Sequence, residues 1–405
     1  MTIDVGVLGA TGTVGQLIIA NLANHPDFNV NYVAASENTA RDNPSYENAV
    51  RGRWYAFGDI PNRVRGLKVH DARYIESALG QCKIVFSSIE MPTKKELQEL
   101  EMQYARAGFP VFSNASAHRG TPDVPMLIPE INAKHLKVIP YQQEHYEFNS
   151  GGFIVVKPNC SLQSYLAPVY ALMKAGHKVS AVDVTTLQAC SGAGEKGFQA
   201  LERTTIGMQL YDMIQSGSFD LERARSLVRR VQTEGLMDIC DNVIPYIAGE
   251  EEKTEKEPMK ILGEIVDGEI VDGEIADYSG MKISAQCTRV PVMDGHMACV
   301  KLRFSSDSKP TIKDIIDIWR RFKGPPQDYG LYSAPAHPII YMEEVDRPQT
   351  KLDRWAERGM AVTVGRLEKC NVMDVKFTGL SHNTQRGAAL GNILNAELAH
   401  REGYF

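Results

Sequence analysis

The sequence predicts an α/β fold: a parallel sheet flanked by helices, with a second domain of mixed α+β character. Three observations carry this. Strand and helix signals alternate through the first part of the chain. A glycine-rich turn, Gly9-Ala10-Thr11-Gly12-Thr13-Val14-Gly15, links the first strand to the first helix. The length of 405 residues suits two domains.

In order, residues 3–8 are a short apolar strand, 15–22 a helix and 29–35 a second strand. Residues 83–89 and 111–114 are further strands, separated by a polar helical stretch at 93–107, and the apolar run 153–156 closes this half. Residues 164–174 then show helical spacing, and 178–188 are strand-like and rich in β-branched residues. Residues 201–231 are largely helical and polar, and the basic cluster Arg223, Arg225, Arg229 and Arg230 suits a solvated helix face. Strands are expected at 292–304 and 372–378, and a helix at 387–401. The run from Gly263 to Ile275 repeats a five-residue unit. It is too short for a solenoid and suits an acidic surface loop or short hairpin.

Composition bounds the function. Hydrophobic residues make up 43% and charged residues 23%, ordinary for a globular protein. A net charge of −6 and a pI near 6.0 argue against nucleic-acid binding. No apolar run reaches the roughly 18 residues of a membrane helix, and the N-terminus carries no basic region of a secretion signal. The 7 cysteines are scattered without CxxC pairs, which argues against a disulfide framework or a metal site and for reduced thiols in the cytoplasm.

The turn at Gly9–Gly15 lies between strand and helix. There glycine lets the backbone approach a pyrophosphate and the helix N-terminus offers free N–H groups. This marks a Rossmann-type dinucleotide-binding domain, with Gly9, Thr11, Gly12, Thr13 and Val14 at the cofactor. An NAD site usually places Asp or Glu at the end of the second strand. Here that position is Ala35 or Ser36, and Ser36, Thr39 and Arg41 suit a 2′-phosphate, so NADP is expected. Glu37 counts against it.

Lys157-Pro158-Asn159-Cys160-Ser161 follows an apolar strand and holds a thiol at a strand end. Arg289-Val290-Pro291-Val292-Met293-Asp294-Gly295-His296 brings an arginine and a histidine within one segment. Thiol, imidazole and guanidinium suit covalent chemistry on a carbonyl with a carboxylate nearby. Cys160 is the candidate nucleophile and His296 its base. Gln188-Ala189-Cys190-Ser191-Gly192-Ala193-Gly194 is a second small-residue loop after a strand. It allows close approach to a ligand, with the Gln188 amide suited to a carbonyl and Cys190 to packing.

These segments resemble the aspartate-semialdehyde dehydrogenase family, in its archaeal and fungal branch, over nearly the whole chain. The likeness also takes in Ser113-Asn114-Ala115 with Arg119, Leu127 to Asn132, Asn242 to Ile247, Glu250 to Lys253, and Ser381-His382-Asn383 with Gly387-Ala388-Ala389. The resemblance implies that Cys160 is acylated and that His296 is the general acid and base. It implies that Gln188 orients the substrate, Arg289 binds its carboxylate and Glu250 its amine. Arg119, Asn159 and Lys253 would bind phosphate, and Ser191, Gly192 and Asn383 would line the cofactor. It also implies a homodimer or homotetramer joined through the second, catalytic domain. On this reading residues 1–158 with 380–405 bind NADP, and 159–379 form the catalytic and dimerisation domain. The reaction would interconvert aspartate semialdehyde and phosphate with aspartyl phosphate through a Cys160 thioester, NADP taking the hydride, in the pathway to Lys, Thr and Met.

One departure sets an alternative. Family members commonly carry hydroxyl residues after the cysteine, whereas Ser161 is followed by Leu162-Gln163. Loss of a hydroxyl beside the nucleophile leaves room for another acyl acceptor, as in a malonyl-CoA reductase-like enzyme, or for a dehydrogenase of another semialdehyde. A non-catalytic NADP-binding protein is a third reading, opposed by the presence of nucleophile, base and carboxylate-binding arginine together.

Overall fold

The computed structural model describes residues 2–216, 220–222, 239, 242–266, 273–305 and 309–405. Strands β1 (Ile3–Leu8), β2 (Phe28–Ala35), β3 (Val69–Asp71), β4 (Ile84–Ser87), β5 (Pro110–Ser113) and β6 (Phe153–Val156) form one sheet in the order β3-β2-β1-β4-β5-β6. All five pairings are parallel. The order reverses between β1 and β4, and ligands of such sheets bind beyond the carboxyl ends at that point. Helix α1 (Thr13–Leu22) buries Leu17, Ile18, Ile19 and Leu22 on one face of the sheet. Helix α2 (Glu37–Asp42) follows β2, and α3 (Lys94–Arg106) lies between β4 and β5.

The second sheet is mixed. Strands β7 (Val179–Gln188), β10 (Lys282–Arg289), β11 (His296–Phe304), β12 (Ile339–Tyr341), β13 (Val362–Lys369) and β14 (Val375–Ser381) run in the order β10-β7-β11-β14-β13-β12. Helices α4 (Leu166–Lys174), α5 (Glu195–Gln215), α6 (Glu250–Ile261) and α7 (Ile312–Arg321) belong to this part. The last helix, α8 (Ala389–Arg401), returns to the first sheet, where Leu390, Ile393 and Leu394 pack with Val5, Ile18 and Phe112. The core on the other face runs without a break into the second sheet, joining Val85 and Ile154 to Leu172, Val300 and Trp319.

Several expectations shift. The strand expected at 292–304 starts only at His296, because Pro291 lacks an N–H and Gly295 takes φ +99. Residues 290–295 instead form a turn whose Val292 and Met293 carbonyls accept from Cys190 and Ser191 N–H. The strand expected at 372–378 is displaced to Val375–Ser381, since Cys370 N–H bonds Asp374 O across a turn. Within the repeat, Glu264–Val266 (β8) pairs antiparallel with Glu274–Ala276 (β9), as a short hairpin requires. Residues 267–272 lie outside the described residues, as does the Arg223, Arg225, Arg229, Arg230 cluster. Among the described residues no helix is long and apolar enough to cross a membrane.

Candidate active site

The chain leaves β6 through Lys157 and Pro158 into a single helical turn, Cys160–Ser164. Asn159 caps that turn: its Oδ1 accepts from Ser161 N–H and Ser161 Oγ, both at 2.7 Å. Cys160 Sγ lies 3.2 Å from Nε2 of His296, the first residue of β11. A Cβ on Gly387 would fall 2.7 Å from the Cys160 Cβ, so the segment behind the nucleophile must be bare there. Burial pushes the Cys160 thiol up to about 12, and the Glu250 carboxylate adds to this. Burial, then Arg289 and His382, hold His296 well below the usual imidazole range. Thiol and imidazole therefore rest neutral together.

The tautomer follows from one contact. Ala189 N–H can only donate, and it donates to His296 Nδ1 at 3.0 Å. The neutral ring then carries its proton on Nε2, facing the sulfur. The expected role of His296 as base is thus modified at rest: Nε2 is a donor, and accepting the thiol proton there requires the Nδ1–Ala189 contact to be given up.

Gln188 ends β7 and Arg289 ends β10, and the two are register partners. Arg289 is buried and donates from Nη1 to Ala189 O at 2.6 Å, leaving further N–H groups for a carboxylate. A Cβ on Gly192 would lie 2.8 Å from Arg289 Nη1 and 3.3 Å from His296 Nε2. The bare Gly192 thus lies directly against arginine and imidazole, and a side chain there would displace them. Gln188 Nε2 reaches Thr186 Oγ1 and Glu250 Oε2, both at 3.3 Å.

Helix α6 lines the other side. Three glutamates in its first turn, Glu250, Glu251 and Glu252, favour its N-terminus through the helix dipole. Pro258 removes a bond to the Thr254 carbonyl, and the buried Tyr165 hydroxyl donates to that oxygen instead at 3.1 Å. Glu250 accepts from Asn159 Nδ2 at 2.8 Å and from Lys253 Nζ at 2.8 Å. These bonds hold its carboxyl below the usual range although burial opposes them. Arg119 donates to Lys157 O, Asn114 O and Glu257 Oε1. Arg119, Lys253, Glu257 and Lys260 line a cavity of about 610 Å³, with Lys94 and Lys256 at its rim.

At the nucleotide turn each glycine has its own reason. Gly9 has φ +75, and a Cβ on it would strike the Ile89 backbone at 2.7 Å. A Cβ on Gly15 would strike Gly9 O at 2.2 Å. Gly12 caps α1 with no side-chain bond, and a Cβ there would meet only Gly9 O, at 3.4 Å. The first turn of α1, with Thr13 and Val14, thus faces open space that fits a pyrophosphate. Thr11 lies behind it, its carbonyl bonded to Gln16 Nε2. Across the cleft, a Cβ on Gly194 would come 3.7 Å from Thr13 Oγ1. Asn383 Nδ2 donates to Ser191 Oγ and its Oδ1 accepts from Gly295 N–H, both at 2.8 Å. It therefore fixes the loop and the turn that deliver His296, with one amide N–H to spare. At the end of β2, Ser36 Oγ and Thr39 Oγ1 are 3.1 Å apart, while Arg41 turns to Asp42 and Arg73 approaches Glu37. Exposed hydroxyls with two arginines nearby fit a 2′-phosphate.

Cys160, His296, Gln188, Arg289, Glu250, Asn159, Ser191, Gly192 and Asn383 thus meet in one cleft. Arg119 and Lys253 stand at its side, and the glycine turn faces it. The sequence reading passed over Thr254, Glu257 and Lys260, which continue the stripe begun by Glu250 and Lys253 at helical spacing. Leu162, noted there for the hydroxyl it lacks beside the nucleophile, is 0% exposed and belongs to the hydrophobic core.

Residues 4–139 match the family model for the semialdehyde dehydrogenase NAD binding domain, and residues 169–386 match that for the semialdehyde dehydrogenase dimerisation domain. Aspartate-semialdehyde dehydrogenase of Cryptococcus neoformans is 37% identical over 401 residues, 99% of this chain and 98% of the relative. That of Archaeoglobus fulgidus is 37% identical over 404 residues, 99% of both chains. The structure of the Candida albicans aspartate semialdehyde dehydrogenase with NADP superposes with a TM-score of 0.80 at 31% identity, covering 100% of both chains. Matched end to end at this level, the chain belongs to the aspartate-semialdehyde dehydrogenase family.

Proposed function

We propose that this chain is an NADP-dependent aspartate-semialdehyde dehydrogenase, interconverting aspartate semialdehyde and phosphate with aspartyl phosphate through a thioester on Cys160. The observation that carries the reading is the Cys160–His296 contact of 3.2 Å, with Gly192 lying against both that imidazole and Arg289. NADP, when bound, supplies the hydride acceptor, and the glycine turn with Ser36, Thr39, Arg41, Ser191, Gly192 and Asn383 would hold it.

The chain's own groups do the rest. Arg289 pairs with the substrate carboxylate and Glu250 with its ammonium, setting the aldehyde carbon against Sγ. His296 gives up its Ala189 contact and takes the Cys160 proton on Nε2, the thiolate bonds to that carbon, and the imidazolium Nε2–H donates to the resulting oxyanion. Loss of hydride leaves the thioester, oriented by Gln188. A phosphate oxygen held by Arg119, Lys253 and Asn159 attacks the thioester carbon, the C–S bond breaks, and aspartyl phosphate leaves with Sγ returned as thiolate. The biosynthetic direction is the reverse.

The same reading assigns residues 1–158 with 380–405 to NADP binding and 159–379 to catalysis and assembly, supported by the packing of α8 on α1. It takes the protein to be a homodimer or homotetramer joined through the second sheet, and to work in the cytoplasm, in keeping with 6 free thiols among the described residues. The test is the initial rate of NADP reduction with aspartate semialdehyde, with and without inorganic phosphate, beside NADPH oxidation with malonyl-CoA. Phosphate-dependent reduction is expected. Silence there with turnover of malonyl-CoA would overturn the reading.

A further inference from the structure

The stripe of α6 places one more carboxylate at the site. Glu257, two turns beyond Glu250, is buried. Its Oε1 accepts from Arg119 Nη1 at 2.9 Å and its Oε2 accepts from the backbone N–H of Asn159 at 2.6 Å. Arg119 also donates from Nε to Lys157 O at 2.9 Å. A closed circuit results: the guanidinium is tied to the turn on both sides of Pro158, directly at Lys157 and through Glu257 at Asn159. Nη2 donates to Asn114 O at 3.2 Å. Three of the five guanidinium N–H groups are thereby committed, and two remain for an oxyanion. Thr254, one turn earlier, reaches Ser161 Oγ at 3.1 Å, so α6 grips the nucleophile's turn through Glu250, Thr254 and Glu257.

We propose that Glu257 is a positioning residue, whose carboxylate holds the anion-binding Arg119 and the Cys160 turn at a set separation, so that phosphate bound to the arginine meets the acyl group on the sulfur. Only a carboxylate suits the place. It accepts from two donors at once, whereas an amide accepts from one and turns its own N–H groups on the other. The inference rests on the functional reading above, since it assigns the acyl acceptor to Arg119.

Two readouts test it: the KM for phosphate in the aldehyde-oxidising assay, and the phosphate concentration that half-protects Cys160 from iodoacetamide. In Glu257→Gln both should rise about tenfold or more and kcat should fall, since misplacement near 1 Å can cost about a hundredfold. The KM for NADP should stay within roughly twofold, because α6 does not touch the glycine turn. Glu257→Asp keeps the charge but withdraws it by one methylene, and should lie between. A purely structural role would lower the melting temperature and leave phosphate protection unmoved. If either variant folds and matches the wild type in both phosphate readouts, the proposal is overturned; should Glu257→Gln fail to fold, Glu257→Asp carries the decision. A wild-type protein that phosphate neither drives nor protects would overturn the functional reading and this one with it. A wild type that responds while the variants match it would overturn this one alone.

Discussion

Restoring a hydroxyl beside the nucleophile, by Leu162→Thr, should damage the fold and leave acceptor choice alone. Leu162 is fully buried, in a core that includes Tyr165, Ala298, Val300 and Phe377. Threonine removes about two buried carbons' worth of apolar contact, roughly 1.6 kcal/mol at about 0.8 kcal/mol per methylene. Its hydroxyl would be buried among apolar side chains, which costs roughly 1–3 kcal/mol. Together the loss is about 3–5 kcal/mol, a large share of the roughly 5–15 kcal/mol that holds a domain together. A urea titration followed by far-UV circular dichroism should show the midpoint lowered at unchanged slope. The ratio of kcat/KM for phosphate to that for a CoA acceptor should match the wild type. A variant of full stability with an altered acceptor ratio would refute this, because it would place residue 162 against the substrate.

Four further outcomes follow from the geometry. Gly12→Ala should leave apo stability within about 0.5 kcal/mol yet weaken NADP binding, whereas Gly15→Ala should destabilise the apo protein by about 1–3 kcal/mol through overpacking; thermal melts with and without NADP separate the two. Burial of the Cys160 thiol predicts that the apo protein alkylates at neutral pH more slowly than a free thiol, gaining about tenfold per pH unit as thiolate forms, and a rate flat across pH 6–8 would contradict that. Arg289→Leu should lower kcat/KM for aspartate semialdehyde about a hundredfold or more with NADP binding intact, and an unchanged kcat/KM would remove this arginine from the site. Burial raises Glu101 from 4.5 to about 7, with Ser87 and Ser113 opposing. A raised carboxyl contributes stability in full below its unfolded pKa of 4.5 and loses it as pH rises through about 7. Glu101→Gln should therefore gain on the wild type at pH 8 and not at pH 4, as equilibrium denaturation at the two values would show; equal gains at both would contradict the assignment.

The first half of the fold was legible because its signals are local. Each strand of the parallel sheet is a short apolar run, and the glycine turn carries its own reason in the space around Gly9 and Gly15. The candidate site was legible in the same way: Cys160 follows a strand end, and Arg289 and His296 lie within one segment. The second sheet was harder to see. β10 alternates apolar with polar residues in a half-exposed strand, and its partner β7 lies far away in sequence. The sequence marked α6 only at Glu250 to Lys253, because its inward stripe is polar and does not follow the apolar pattern that marks most helices.

The order of residues is enough to establish a dinucleotide turn, a thiol at a strand end and the family they belong to, since each rests on neighbours within a few positions. Direction and partnership are different. That Leu162 points into the core, that Ala189 sets the proton of His296 on Nε2, and that Glu257 joins Arg119 to Asn159 depend on segments brought together from 98 to 138 positions apart. Burial and hydrogen-bond partnership are properties of the packed chain, and spacing along it does not contain them.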